Sequence, residues 1–366
     1  MSLKITIYSR LIESKAWYLT RIFWTALLVG TFYTIYSTDS IIYGKRVYFP
    51  YRPPFYQHKA TLLNDTINNN TEIEKPQEGV VITAEFRDQT FTYSLLPPSD
   101  RDLCRHTNVL VLIISRPDGF RNRDYIRKSW MYYEGNPKDV TLKFIIGQTF
   151  DSKTNERLQE EIVEHMDIVQ YEFIDEYDLL PLKVHATLAY QQAFCPEAKY
   201  LLKTDDDTVI HLARLNHFIE TSYEEKYSKT PKMLACAIFA GLKPNRNKDN
   251  KYYVSKEIYP SELYPNFCQG CSYMASTDAV AAILNHTKEA HFLKLEDVLF
   301  TGLIAEKANV TLYNTRNFGY YTASSRVECD KDQVPLPTAL LGVRTYLMAR
   351  YFNKLQNQQC LTKHHH

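Results

Sequence analysis

Between Asn108 and Thr204 the chain alternates short, continuous aliphatic runs with longer stretches of mixed polarity. Asn108–Ser115 reads NVLVLIIS, Val140–Gly147 reads VTLKFIIG, and Asp167–Ile174 and Lys199–Thr204 repeat the pattern. A run of that length without alternation predicts a strand buried on both faces. The intervening segments Arg121–Trp130, Ser152–Met166 and Leu179–Phe194 predict helices. Strands alternating with helices predict an α/β fold whose sheet is covered on both sides. Ligands of open α/β sheets gather beyond the carboxyl ends of the strands. The residues just past Lys199–Thr204 are therefore the first place to look for chemistry. Arg344–Leu355 predicts a closing amphipathic helix with no assigned role.

The N-terminal region follows a different pattern. Ile22–Tyr36 carries no charge, and Ala16–Tyr36 is long enough to cross a bilayer as one helix if Arg21 reaches the headgroups. Trp17, Tyr18 and Trp24 sit toward one end and Tyr33 and Tyr36 toward the other, as interfacial aromatics do. Lys4, Arg10, Lys15 and Arg21 precede or open the run against Glu13 alone, which predicts a cytosolic N-terminus and a type II span. A cleaved signal peptide is the alternative, disfavoured by the long basic start and the lack of a small-residue cleavage site. Beyond it, Tyr48–Tyr56 is rich in proline and aromatics, and the polar stretch to Gln77 carries two glycosylation sequons, at Asn64 and Asn69. These features predict a spacer. The expected organisation is a cytosolic tail (1–15), a signal-anchor (16–36), a lumenal stem (37–100) ending near Pro97-Pro98, and a catalytic domain (101–360).

Composition narrows the function. Of the 366 residues, 43 Lys+Arg against 42 Asp+Glu leave a formal charge of +1, so no basic field exists to hold nucleic acid. The 11 glycines nowhere form a dinucleotide-binding, P-loop or nucleophile-elbow motif. Two further sequons, at Asn285 and Asn309, agree with a lumenal setting, where the seven cysteines permit three disulfides and one left over. Their pairing cannot be read from spacing. Cys268-x-x-Cys271 lacks the second pair that zinc needs, so disulfide membership is the simpler reading.

Asp205-Asp206-Asp207 follows the fourth strand. Three adjacent carboxylates either face water, as a solvated turn, or hold a cation, because a buried unpaired carboxylate costs several kcal/mol or takes up a proton. A sharp turn aims Asp205 and Asp207 to one side and Asp206 elsewhere, giving two oxygen ligands for Mn²⁺ or Mg²⁺ with open positions for a diphosphate. Glu296-Asp297 opens a segment predicted to be helical as far as Lys307. Alone it reads as first-turn acid complementing the helix dipole; near an activated sugar, Asp297 could act as general base. Arg123, Arg127 and Lys128 offer phosphate-matching charge or simply a solvated face.

Five motifs in one order resemble glycosyltransferase family 31, the β-1,3-galactosyltransferase and N-acetylglucosaminyltransferase group. Arg123–Trp130 resembles its R-x-x-I-R-x-T-W segment, with Ser129 for Thr. Phe173–Lys183 is similar to D-x-Y-x-N-L-T-x-K, with departures at Asp178, Leu180 and Pro181. Cys195 with Tyr200–Asp207 resembles C-x(4)-Y-x-x-K-x-D-D-D, Tyr264–Tyr273 resembles Y-P-x-Y-C-x-G-x-x-Y, and Glu296-Asp297-Val298 with Gly302 matches the E-D-V block. The similarity covers about 220 residues, from Arg105 to Ser325.

The resemblance implies a GT-A type fold, a mixed and largely parallel sheet with flanking helices. It also implies a UDP-sugar donor, Mn²⁺ (or Mg²⁺), and inverting transfer of a hexose or N-acetylhexosamine to the 3-hydroxyl of a glycan on protein or lipid. It implies a Golgi membrane protein of single-pass type II topology. Residue by residue, it makes Asp207 the main metal ligand with Asp205 assisting, and Asp297 the base. Arg123, Arg127, Lys183, Asp205, Asp206, Tyr264, Gly270, Tyr273 and Glu296 would line the donor. One departure stands out: the family usually carries a metal-binding histidine some twenty residues beyond E-D-V, where this chain reads Asn317-Phe318-Gly319-Tyr320-Tyr321. The competing classes are an inactive lumenal binding or chaperone module and a metal-dependent phosphate-ester hydrolase.

Overall fold

The computed structural model describes residues 80–95 and 104–361, all within one compact unit that begins at Glu74. The tail, the span at 16–36 and the sequons at Asn64 and Asn69 lie outside the described residues. Among the described residues, no helix is long and apolar enough to cross a membrane.

Nine of the described strands make the main sheet: β1 (Val80–Glu85), β2 (Thr90–Leu95), β3 (Val109–Ile114), β4 (Val140–Gln148), β5 (Ile168–Ile174), β6 (Tyr200–Asp205), β7 (Met233–Cys236), β8 (Ser272–Ser276) and β9 (Thr311–Asn314). Their order is β1-β2-β5-β4-β3-β6-β8-β7-β9. The four predicted strands β3 to β6 pair in parallel at its centre, and β8 runs antiparallel between β6 and β7. The architecture is mixed α/β with a parallel core.

The continuous aliphatic run of β3 has a simple cause. Leu110, Leu112 and Ile114 enter one hydrophobic cluster, while Val109, Val111 and Ile113 enter another on the opposite face. Successive side chains of a strand point to opposite faces, so a strand between two cores must be apolar throughout. Helix α1 (Phe120–Ile126) continues as a wider π turn through Arg127–Met131, and Trp130 reaches the second cluster. Helix α2 (Ser152–His165) is capped by Asp151, whose carboxylate accepts from the Thr154 N–H, and ends at Met166 in the left-handed region (φ 52°). Helix α3 (Leu180–Phe194) is buried from Pro181 to Gln191, which is why its sequence shows no polar stripe. The closing helix forms at Met348–Gln356, preceded by a tight turn at Thr345–Leu347.

The stem expectation is corrected at its C-terminal end. Val80–Glu85 and Thr90–Leu95 form an antiparallel hairpin that joins the sheet through Leu95 opposite Tyr171. The hairpin turn is fastened as well, because the Arg87 N–H donates to the Ala290 carbonyl and the Phe292 N–H to Asp88. Phe86, Phe91 and Phe292 interlock edge-on or tilted against one another. The ordered domain therefore begins before residue 101. Its signal is weak in the sequence because VVITAE and TFTYSL mix exposed polar positions with one packed face.

Three disulfides form among the described residues. Cys104–Cys195 joins the entry of β3 to the end of α3, Cys236–Cys268 joins β7 to the loop before β8, and Cys329–Cys360 holds the C-terminal segment. Cys271 is free, so the Cys268-x-x-Cys271 pair is split between a bond and a thiol.

His185 on α3 shares a 2.7 Å hydrogen bond with the Tyr93 hydroxyl through Nδ1, and burial pushes its pKa down to about 4. The unfolded chain takes up this proton near pH 6.5 and the folded one near 4, so acidification across that window favours unfolding by up to about 3 kcal/mol. Denaturant titrations between about pH 7.5 and 4.5 should show His185→Gln losing less stability on acidification than the parent chain. Equal losses would remove His185 as the cause.

Candidate active site

The site is assembled where the parallel strands end. The Asp205 N–H donates to the Cys271 carbonyl and the Asp206 N–H to the Ile114 carbonyl, so the acidic turn is pinned between β8 and β3. That pinning separates the three side chains. Asp206 turns toward β3 and is held by the Ser115 hydroxyl (2.6 Å) and by Asn122 Nδ2 (3.1 Å). Thr345 in turn donates to Asn122. Asp205 turns the other way, toward Lys203. Asp207 is fixed by its backbone, whose carbonyl accepts from the Val343 N–H at 2.7 Å, while its buried Oδ1 has no hydrogen-bond partner.

Lys203 is wholly buried, and its three ammonium protons meet three acceptors: Asp205 Oδ1 at 2.7 Å, the Gly270 carbonyl at 2.6 Å and Glu296 Oε1 at 3.0 Å. Burial alone would depress its pKa, but Asp205 and Glu296 outweigh that and hold it well above the ordinary lysine value. Tyr273, opposite Lys203 in the β6–β8 register, places its ring 5.8 Å from the ammonium. Glu296 and Asp297 arrive on the turn before Val298–Ile304, where Asp297 caps the helical segment by accepting from the Val298 N–H at 2.8 Å. Gly270 is required here by close approach, since a Cβ would stand 2.9 Å from Glu296 Oε1 and 3.2 Å from the Asp297 Cβ.

A galactosyltransferase family model matches residues 121–316, more than half of the chain. The chain belongs to the galactosyltransferase family. It is a glycosyltransferase, and human β-1,3-galactosyltransferase 5 is 32% identical to it over 235 residues, covering 62% of this chain and 73% of that protein. Lactosylceramide 1,3-N-acetyl-β-D-glucosaminyltransferase A of Xenopus laevis is 28% identical over 222 residues, covering 57% of each. Among solved structures, mouse xyloside xylosyltransferase 1 aligns with a TM-score of 0.30 at 9% identity, over 62% of this chain and 88% of that one, too distant a likeness to argue from. The family match takes in every residue of the acidic turn, Lys203, Gly270 and the Glu296-Asp297 turn. It omits the hairpin and the closing helix.

Charge crowding marks this galactosyltransferase site. Burial, then repulsion from Asp205 and Asp206, pushes Asp207 up to about 6. Glu296 is pushed up to about 7 by burial, against the pull of Lys203, and burial raises Asp206 and Asp297 as well. Among the described residues, buried polar side-chain atoms without a partner number seven, and five belong to Asp207, Tyr264, Ser272, Tyr273 and Glu296. Buried groups left unpaired in one region are what a bound ligand or ion would satisfy. An oxygen-only donor set with an orphaned Asp207 oxygen fits a hard divalent cation.

Several of the expected donor residues have protein partners in the structure. Arg123 is completely buried, and its guanidinium is spent on Glu161, Ser115 and the carbonyls of Arg116 and Pro117. Arg127 pairs with Asp167 through Nε and Nη2, both at 2.7 Å, and with Glu161 at 2.6 Å. Both arginines brace α1 and its π turn against α2 and the entry of β5. Lys183 is buried against Asp175 at 2.6 Å and the Ser115 carbonyl at 2.9 Å, so it supports the strand ends from behind. Asp206, held by Ser115 and Asn122, likewise serves the shape of the turn.

The motifs assign no role to Lys203, and none of the five includes Ser115 or Asn122. A lone serine or asparagine gives no signal in sequence. In the segment without the family histidine, Asn317 is buried and bonded to Thr338 and the Leu336 carbonyl. The exposed Tyr321 accepts from Gln269 Nε2, the residue before Gly270, and its hydroxyl senses the charge of Asp207. His217, Asp330 and Asp332 also bring ligand atoms within 4.8 Å of one another, but His217 Nε2 is already hydrogen-bonded to Asp330 Oδ2 at 2.6 Å.

Arg127→Met should leave Glu161 and Asp167 partly uncompensated in the interior. Urea unfolding should register a loss of about 3–5 kcal/mol, the usual cost of breaking a buried pair. Affinity for UDP in the protein that remains folded should stay within about twofold, and a tenfold drop would return Arg127 to the donor site.

Proposed function

We propose that this domain is a GT-A type, inverting β-1,3-hexosyltransferase that moves galactose or an N-acetylhexosamine from a UDP-sugar to the 3-hydroxyl of a glycan on protein or lipid. The observation that carries the proposal is the crowding of buried carboxylates at the strand ends, where Asp207 keeps an unpaired oxygen two residues from Asp205 and Lys203 bridges Asp205 to Glu296, in a member of the galactosyltransferase family. The names of the relatives, a β-1,3-galactosyltransferase and a 1,3-N-acetylglucosaminyltransferase, support the linkage and the range of sugars.

Asp207, with Asp205, would hold Mn²⁺ or Mg²⁺, which when bound supplies charge stabilisation to a departing diphosphate. The chain's own residues do the rest. Asp297, its pKa raised by burial, is a stronger base than an exposed aspartate and takes the proton of the acceptor hydroxyl as that oxygen attacks the anomeric carbon. The Val298 N–H fixes its Oδ1, which orients the carboxylate. Gly270 keeps the space before Asp297 open, and Tyr264, Tyr273 and Glu296 offer buried polar atoms to sugar hydroxyls. A site that hydrogen-bonds a hydroxyl rejects a sugar lacking it, which is how these groups would select the hexose.

A Golgi location with the chain anchored through residues 16–36 and the domain in the lumen belongs to the same proposal, supported by the three disulfides and by exposed sequon asparagines Asn285 and Asn309.

Product analysis with a panel of UDP-sugars and acceptor glycans should reveal acceptor-dependent β-1,3 products in Mn²⁺. Free sugar or phosphate released without acceptor would favour hydrolysis instead. Asp297→Asn should lower kcat by roughly 10²–10⁴ with UDP affinity retained, the range expected for loss of a general base. Asp207→Asn should abolish the Mn²⁺-dependent part of UDP binding in calorimetry. An Asp297→Asn protein with full turnover would refute the base assignment.

A further inference from the structure

Lys203 stands between the two halves of the proposed chemistry. Its ammonium joins Asp205, in the turn that would hold the cation, to Glu296, beside the proposed base, and it also fixes the Gly270 carbonyl. The residue is completely buried, so its charge is not dissipated by water, and all three protons are committed. Glu296 Oε1 sits where a Cβ on residue 270 would collide with it, so the position of Glu296 and the path of the 270 backbone are interlocked. Through Lys203 the two acidic turns share one hydrogen-bonding centre. Its own position is rigid, because on β6 it pairs with Leu112 of β3 on one side and with Tyr273 of β8 on the other.

We propose that Lys203 is a positioning residue that couples the two acidic turns, so that a change at Glu296 is felt at the cation and diphosphate site through the shared ammonium. The proposal rests on the donor site assigned above. It does not require Lys203 to touch donor or acceptor. Two carboxylates competing for one ammonium cannot be moved independently, and networks of this kind show non-additive deletions.

The experiment is a thermodynamic cycle on the full chain with Lys203→Met, Glu296→Ala and the double variant, read as the affinity for UDP at saturating Mn²⁺ by calorimetry. UDP carries no sugar, so a direct contact of Glu296 with the hexose does not enter. Lys203→Met should weaken UDP binding at least tenfold. A lysine acting only as a nearby positive charge would instead repel the cation, and its removal would tighten binding; that outcome overturns the proposal. Glu296→Ala should weaken UDP binding at least threefold, and the double variant should be within twofold of Lys203→Met. Losses that multiply, or an unchanged affinity in Glu296→Ala, also overturn it. If Lys203→Met does not fold, Glu296→Ala alone decides. A parent chain that binds UDP with Mn²⁺ and shows the coupling but transfers no sugar would sink the transferase assignment while leaving the coupling intact. A parent chain that binds no UDP would end both.

Discussion

Like charges in a low-dielectric interior must be answered by a cation or by protons, and this constraint organises the functional end of the sheet. Asp205, Asp206, Asp207, Glu296 and Asp297 meet there, and the protein answers them unequally. Asp206 is absorbed by Ser115 and Asn122, and Asp205 and Glu296 share Lys203. Asp207 and Glu296 each keep an oxygen with no partner. Oxygens left unanswered in this way are where an external cation or a ligand's hydrogen-bond donor would gain most.

The same logic separates the structural charges from the functional ones. Arg123, Arg127, Glu161 and Asp167 form a buried network in which guanidiniums and carboxylates are mutually satisfied. Burial alone would raise the Glu161 pKa, but Arg123 and Arg127 outweigh it and bring the carboxylate below its ordinary value. At the acidic turn the pKa shifts run upward instead.

The central strands and the place of the site were legible because they depend on local pattern: a strand with cores on both faces has to be aliphatic, and its end is where the chain can turn charges toward a ligand. The partners of the charges were not legible. Arg123 finds Glu161 38 residues away and Arg127 finds Asp167 40 residues away, and nothing near either arginine announces a buried acid. Lys203 was hidden differently, behind the apolar Leu201-Leu202 of its own strand, where its role emerges only once β8 and the Glu296 turn are brought alongside. The hairpin Val80–Leu95 gave little signal because its strands are partly exposed and stabilised by the aromatic contacts of Phe86 and Phe91 with residues distant in the chain.

That hairpin changes what counts as the smallest workable piece of this molecule. A fragment cut just after Pro98 would strip β2 from β5 and leave the β5 edge at Tyr171 without its strand partner, the kind of naked margin that recruits other chains into aggregates. It would also leave the aromatic seat around Phe292 half empty. A secreted version meant for enzymology should retain everything from Val80 onward, with a few residues of lead-in.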